Sequence, residues 1–394
     1  MKRLICLALL LCASVPGWSA AKKLTIASLQ NMLQSLHREN KSDADVALAL
    51  KQIQLSEQLT RPTMNTLSEY VPGAQSTEQM YVLEARSAMM PLPASEQPTT
   101  AALDDAAQKA LLAKAATYAS TTYQQLPTLT ATRTTLRFQD NVEALAQSSG
   151  QAGSAKDMST ASLGAVNPFN FVRYIESTDT SIGMEHGVER LPVDKTRWGP
   201  NKRIQMMEPY PGLAQVFQEA TDAGAIKWSR WEQVNGKPAA VFSYQVPRKK
   251  AHLALAVCCF PELDQAGIAN FSNANGISGN RGGNAAGNFQ TNTDWKTYKQ
   301  KDLPYHGEFF IDPETGMVLR LVTQMETKPA DVVHQADIRT DYGQVSVGDK
   351  PLILPVRAFA VTEIVVNGES GAGGYAERCT LFASDYKNYQ LAGK

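Results

Sequence analysis

From about Leu126 onward the chain is a series of short β-type segments separated by turns, with a single helix-forming stretch among them. Parallel strands need a long crossover for every pair, so a series of this kind pairs antiparallel. The clearest pair is Lys227–Val234 with Ala239–Val246. It is joined at Asn235-Gly236, a dipeptide that tolerates the two positive φ angles of a hairpin turn. By alternation, Ile226, Trp228 and Val234 share one face of the first strand, and Phe242, Tyr244 and Val246 share one face of the second. Further strands are expected at Leu129–Phe138, Phe169–Ile175, His252–Phe260, Tyr305–Ile311, Met317–Met325, Val345–Val347, Leu352–Val366 and Tyr375–Tyr386. Asp312 begins an Asp-Pro-Glu-Thr-Gly turn, where its side chain can bond nearby backbone N–H groups. The interrupting helix falls at Leu213–Thr221. Residues 261–304 are dense in Asn and Gly, which predicts a flexible surface insertion.

Residues 22–124 carry a helical period instead. Leu24, Leu29, Met32, Leu33 and Leu36 recur at helical spacing, and Ser42 with Asp45 resembles a capping box that opens a helix through Val46, Leu50, Ile53 and Leu59. Pro62 suits a first helical turn. Ser76 with Gln79 marks another start, for a helix running to Met90. Pro91, Pro93 and Pro98 make an extended connector before an Ala-rich helix over Ala101–Tyr123. The expected class is therefore α+β. A helical domain over 22–124 precedes a curved antiparallel sheet domain over 125–394, with one interrupting helix and the insertion at 261–304.

Residues 1–21 read as a cleavable export signal. Lys2 and Arg3 precede the uncharged run Leu4–Ala13, Pro16-Gly17 breaks it, and small residues follow at Ser19-Ala20-Ala21. Leu11 ahead of Cys12 does not fit a lipid-anchor signal. The expected location is periplasmic or secreted, with no transmembrane helix in the mature chain. Lys plus Arg and Asp plus Glu both number 38. That balance supplies no basic face for nucleic acid. Beyond the signal the cysteines are Cys258, Cys259 and Cys379. Neighbours on a strand point to opposite faces, so only one of the pair can reach Cys379. Cys259–Cys379 is the disulfide considered, against three separate thiols.

No catalytic motif stands out. The histidines His37, His186, His252, His306 and His334 are scattered, without metal-ligand spacing, so neither a metal nor a cofactor is expected. Gly276–Gly283 lacks the Lys-Ser/Thr ending of a phosphate loop. Glu308, Asp312 and Glu314 gather at one turn but not across a cleft. Lys195, Arg197, Lys202 and Arg203 around Trp198 form a small basic-aromatic patch. Trp228 and Trp231 are the notable aromatics. Simple alternation sends them to opposite faces, one to the core and one to a concave surface or to the underside of the helical domain.

The segments Trp228–Glu232, Val241–Tyr244, Gly307–Asp312 with Thr315-Gly316, Leu48–Leu59, and Ala131–Thr135 with Arg137-Phe138 resemble exported, uncharacterised proteins of soil bacteria, acidobacterial ones in particular. The hairpin series, with its Asp-before-Gly turn, is also similar to the lipoprotein-carrier fold of LolA and LolB. That likeness implies a curved half-barrel around an apolar cavity with a helical lid. The resulting expectation is a non-enzymatic binding protein of the bacterial envelope. An apolar or lipid-like ligand would lie against Trp228, Trp231, Phe242 and Tyr244, the cavity being mostly apolar. The alternative is an envelope protein–protein scaffold with no small ligand. A hydrolase whose residues are brought together from distant positions is the third reading.

Overall fold

The computed structural model describes residues 22–140, 172–190, 205–206, 212–253, 255–261, 295–328, 331, 333–367 and 375–393. Its centre is a ten-stranded, wholly antiparallel sheet that stays open rather than closing into a barrel. In spatial order the strands are β5 (Val188–Arg190), β4 (Val172–Glu185), β3 (Leu129–Asp140), β15 (Tyr375–Leu391), β14 (Lys350–Asn367), β13 (Val333–Val347), β12 (Val318–Met325), β11 (Tyr305–Ile311), β8 (Lys237–Val246) and β7 (Lys227–Val234). With the N-terminal helices this is the α+β architecture expected.

The helices are α1 (Ile26–Arg38), α2 (Asp43–Lys51), α3 (Arg61–Leu67), α4 (Ala74–Ser87), α5 (Asp105–Thr117) and α6 (Leu213–Ala223). Thr25 caps α1 by accepting from the Ser28 N–H, and Ser42 does the same for α2 through Asp45. Two boundaries differ from the sequence reading. Helix α2 stops at Lys51, and Ile53–Leu55 is β2, paired in parallel with β1 (Lys22–Leu24). Helix α4 starts before Ser76, because Asp43 at the head of α2 accepts from the backbone N–H of both Gln75 and Ser76. A neighbouring helix thus supplies the cap, and no local pattern encodes that. The insertion is also shorter than expected at its far end. Trp295–Gln300 is β10, which joins β9 (Leu255–Pro261) and β6 (Gln205–Met206) in a separate three-stranded sheet. Residues 262–294, which include Gly276–Gly283, residues 1–21 and the Lys195–Arg203 patch lie outside the described residues.

Alternation along each strand sorts its side chains between two cores. Phe242, Phe309 and Ala358 point to one face and pack with α5, α6 and the π-helical turn Tyr118–Tyr123. Val241, Phe310 and Phe359, one residue on or back, point to the other. There Val82, Ala85 and Ala88, in and just after α4, pack in one cluster with Phe359, and Met89 packs against that cluster and against the one holding Val241 and Phe310. The helices α1 to α4 hold a further apolar cluster of their own around Leu29, Leu33, Leu50 and Leu59. At roughly 1.5–3 kcal/mol for each large apolar side chain removed from water, both coverings contribute substantially.

The chain passes from one covering to the other around the β7 edge. Met89, just past α4, packs on Val234, Ala239 and Val241. Twelve positions later the Ala101 carbonyl accepts from Trp231 Nε1 at 2.7 Å on the opposite face. Pro91, Pro93 and Pro98 punctuate this strap, which is not extended throughout as expected but carries a 3-10 turn over Ala94–Glu96.

Two glycines admit aromatic side chains across the sheet. Tyr244 reaches over Gly307, where a Cβ would overlap the Val322 carbonyl oxygen and crowd the phenol. The Tyr244 hydroxyl bonds the Val322 carbonyl at 2.8 Å and Thr323 Oγ1 at 2.9 Å. Tyr123 lies on Gly187 in the same way and donates to its carbonyl. Gly307→Ala must displace either the β11–β12 ladder or Tyr244. We expect it to lower stability by about 3 kcal/mol or more, read from the denaturant midpoint, whereas Ser243→Ala on the neighbouring strand leaves the midpoint nearly unchanged.

Candidate functional site

The four aromatics singled out from the sequence do come together, Phe242 and Tyr244 within packed core and Trp228 and Trp231 half-buried at its edge. Phe242 is fully buried and Tyr244 is 3% exposed. Tyr244 stacks on Phe309 at 4.4 Å, Phe309 meets Phe217 of α6 at 4.8 Å, and Tyr305 lies edge-on to Tyr244 at 6.0 Å. Trp228 and Trp231 do not point to opposite faces. A bulge at Ser229 sets Trp228 opposite Phe242 and Trp231 opposite Ala240, so both indoles meet the α5 side, 5.4 Å apart. One extra residue reverses the parity of everything beyond it, which also moves Val234 to the α4 side.

Cys379 is buried on the α4 side of β15. The side chain of Cys259, its considered partner, lies outside the described residues. The five histidines occupy separate places. His37 packs on Tyr70, His186 sits at a turn with positive φ, His252 approaches Glu219 at 3.4 Å and His306 approaches Glu326 at 3.4 Å, while His334 lies on β13. Asp312 closes its turn as expected, with Oδ1 accepting from the N–H groups of Glu314 and Thr315.

Of the residues that carry the densest polar chemistry, only Glu308 was weighed from the sequence. On the face covered by α4, ionised side chains from four strands form a continuous seam. Arg230 on β7 bonds Glu232 and also Glu308 of β11. Glu232 lies 3.6 Å from Arg320 of β12. Arg320 Nε donates to Asp341 of β13 at 2.6 Å, and Arg339 grips the same carboxylate through Nε and Nη2 at 2.9 and 2.7 Å. Arg339 Nη1 then donates to the Ala88 carbonyl, just past the end of α4, at 2.7 Å. Arg320 and Arg339 are each 4% exposed and Asp341 likewise. Three guanidinium groups face three carboxylates, so the seam is neutral as a whole. Burial pushes the Asp341 carboxyl up, but Arg320 and Arg339 outweigh it and hold the group far below the usual range. Burial pushes Glu232 up, against Arg230 and Arg320. Phe310 and Phe359 lie under the guanidinium planes of Arg320 and Arg339 at 5.0 and 5.5 Å.

A second group ties α4 to β14. Glu84 accepts two bonds from Arg61 at 2.9 and 2.8 Å and one from Arg357 at 3.3 Å. Burial is the dominant influence and pushes its carboxyl up to about 7, against Arg61.

A third polar cluster lies on the α5 and α6 side. Glu189 of β5 is bonded by Arg133 and by the Tyr386 hydroxyl, and burial raises its carboxyl. It borders a small, partly open cavity of about 20 Å³, with Tyr123, Gly212, Thr340, Tyr342 and Tyr386. Further along α6, the Glu219 carboxylate takes Tyr305 O–H at 2.7 Å and the His252 backbone N–H at 3.1 Å.

Among the described residues, no set of three or more His, Cys, Asp or Glu side chains is arranged to hold a metal ion. No helix among them is long and apolar enough to cross a membrane. No protein-family model, no curated protein and no solved structure matches this chain.

Asp341→Ala leaves Arg320 and Arg339 buried together without their shared anion. We expect a loss of about 3–5 kcal/mol in equilibrium unfolding. The double change Asp341→Ala with Arg320→Met should recover part of it.

Glu84 carries a pH signature of opposite sign to an ordinary paired carboxylate. Its carboxyl is raised from 4.5 to about 7 on folding. Between those values the folded chain holds a proton that the unfolded chain has released, so stability falls as pH rises through the window. The upper limit is about 3 kcal/mol at 1.36 kcal/mol per pH unit. Chemical denaturation from pH 4 to 8 should show this decline, and Glu84→Gln should flatten it.

Proposed function

We propose that this chain is a non-enzymatic interaction scaffold of the bacterial envelope, exported by its N-terminal segment and built to present a braced surface to another protein. The packed state of the sheet's α5 side carries this reading. Phe242, Tyr244, Phe309 and Phe217 fill it with each other, and α5, α6 and the Tyr118–Tyr123 turn lie directly on them. A lipid or other apolar ligand that reached Phe242 and Tyr244 would have to displace that core, and only the half-buried edges of Trp228 and Trp231 lie outside it. The cavity at Glu189 holds about 20 Å³ and is lined by a carboxylate and phenols together with Met184, Val188 and Pro355, whereas a drug-sized pocket occupies roughly 300 Å³ or more. The opposite face is braced by ionic bonds of fixed geometry, which suits a surface that keeps its shape under load better than one that opens for cargo. The carrier reading remains the alternative, supported by the resemblance of the hairpin series to the lipoprotein-carrier fold.

Native mass spectrometry of the mature chain, purified from an exporting host and followed by solvent extraction, separates the two. A mass equal to the bare polypeptide, with no extractable lipid, is the expected result. A stoichiometric apolar adduct that survives gentle handling would return the carrier reading.

A further inference from the structure

The cavity beside Glu189 has a specific chemistry. Seven separate elements meet there: the π-helical turn through Tyr123, β4 through Met184, β5 through Glu189, the start of α6 through Gly212, β13 through Thr340 and Tyr342, β14 through Pro355 and β15 through Tyr386. Its volume, about 20 Å³, exceeds the roughly 10–15 Å³ that one water needs. Charge narrows the occupant further. Glu189 is paired with Arg133, so the site carries no net charge to favour a cation or an anion.

The groups around it call for a partner that both donates and accepts. Each Glu189 oxygen takes one bond, from Arg133 on one side and Tyr386 on the other, and a carboxylate has room for about four. Helix α6 begins at Gly212, which has no side chain to cap the first-turn N–H groups. A carboxylate at a helix start is electrostatically favoured, and a bridging molecule lets it act at one remove.

We propose that this cavity is a binding site for a single structural water, which links the Glu189 carboxylate to the Thr340 hydroxyl and to the uncapped start of α6. The water ties the short edge strand β5 to the helix that covers the core.

Water–amide nuclear Overhauser measurements on the labelled mature protein, read at Val188, Glu189 and Leu213, provide the test. A cross-peak whose sign marks slow exchange is expected at one or more of these amides. Thr340→Val keeps the side-chain shape and removes the hydroxyl, and Tyr386→Phe removes a donor from Glu189. Each should abolish the cross-peak or shorten the water's residence at least tenfold, while the far-ultraviolet circular dichroism stays that of the parent. If both variants misfold, a high-resolution crystal structure of the parent decides, through an ordered oxygen within hydrogen-bond distance of Glu189 and Thr340. Fast-exchanging water at all three amides, a cross-peak untouched in folded variants, or a crystal structure lacking that oxygen would each overturn the proposal.

Discussion

The carboxylate of Asp341 is the point on which the two halves of this protein depend. Two guanidinium groups from adjacent strands converge on it in a region from which water is excluded, and one of them reaches on to the carbonyl that follows α4. A lone ion in that position would cost several kcal/mol, and the arrangement is tolerable only because each charge has its counter-charge and nearly every lone pair its donor. Burying such a group contributes less to stability than to uniqueness. An apolar helix can slide on an apolar sheet with little penalty. A helix whose end must meet Arg339, and whose Glu84 must meet Arg357, has one seat.

The same constraint explains how the chain wraps its sheet. Once α4 is seated, the strap through Pro91, Pro93 and Pro98 turns around β7 and delivers α5 to the other face. Trp231 secures the far end by donating to Ala101. An edge strand with unpaired backbone groups invites association with other chains, and natural sheets blunt their edges. Here the β7 edge has a strap and a bulge at Ser229, and the opposite edge strand, β5, is only three residues long.

Much of this was legible in the sequence and some of it was not, for reasons that can be assigned. The β7–β8 hairpin, α6 and the Asp312 turn were readable because each is decided by neighbours in the chain. Asn235 and Gly236 carry the positive φ angles, Gly224 ends α6 in the left-handed region, and Asp312 bonds its own turn. Most of β13 was missed, since only Val345–Val347 was read as strand. Asp337, Arg339 and Asp341 alternate like a solvated face, yet all three are at most 5% exposed. Opposite charges at period two on a strand were the available signal. Its meaning depended on Arg320 and on the end of α4, both remote in sequence. The bulge at Ser229 and the cap that Asp43 gives α4 were illegible for the same reason, being fixed by partners that local pattern does not reveal. For the site, the consequence was direct. Of the aromatics chosen for their size, Phe242 and Tyr244 lie in the core and Trp228 and Trp231 at its edge, while the charged seam, Glu308 apart, lay in residues not weighed as a site.

Where a sheet places its ions also bears on what it can do. A carrier needs one compliant face, able to part and reclose over cargo of varying shape. That is an apolar contact with few directional bonds, of the kind Met-rich and loosely packed surfaces provide. In this protein, by contrast, directional bonds hold both faces. On the α4 side they form the seam from Arg230 to Arg339. On the other, the Tyr244 hydroxyl ties β8 to β12, and Tyr305 of β11 donates to Glu219 of α6. Parting either face would leave buried charges or hydroxyls without partners, at about 1–3 kcal/mol for each neutral group and more for each ion. Opening the sheet is therefore the costly motion. Contact through its outer, already solvated surfaces is the inexpensive one, and this ordering of costs favours a scaffold over a carrier.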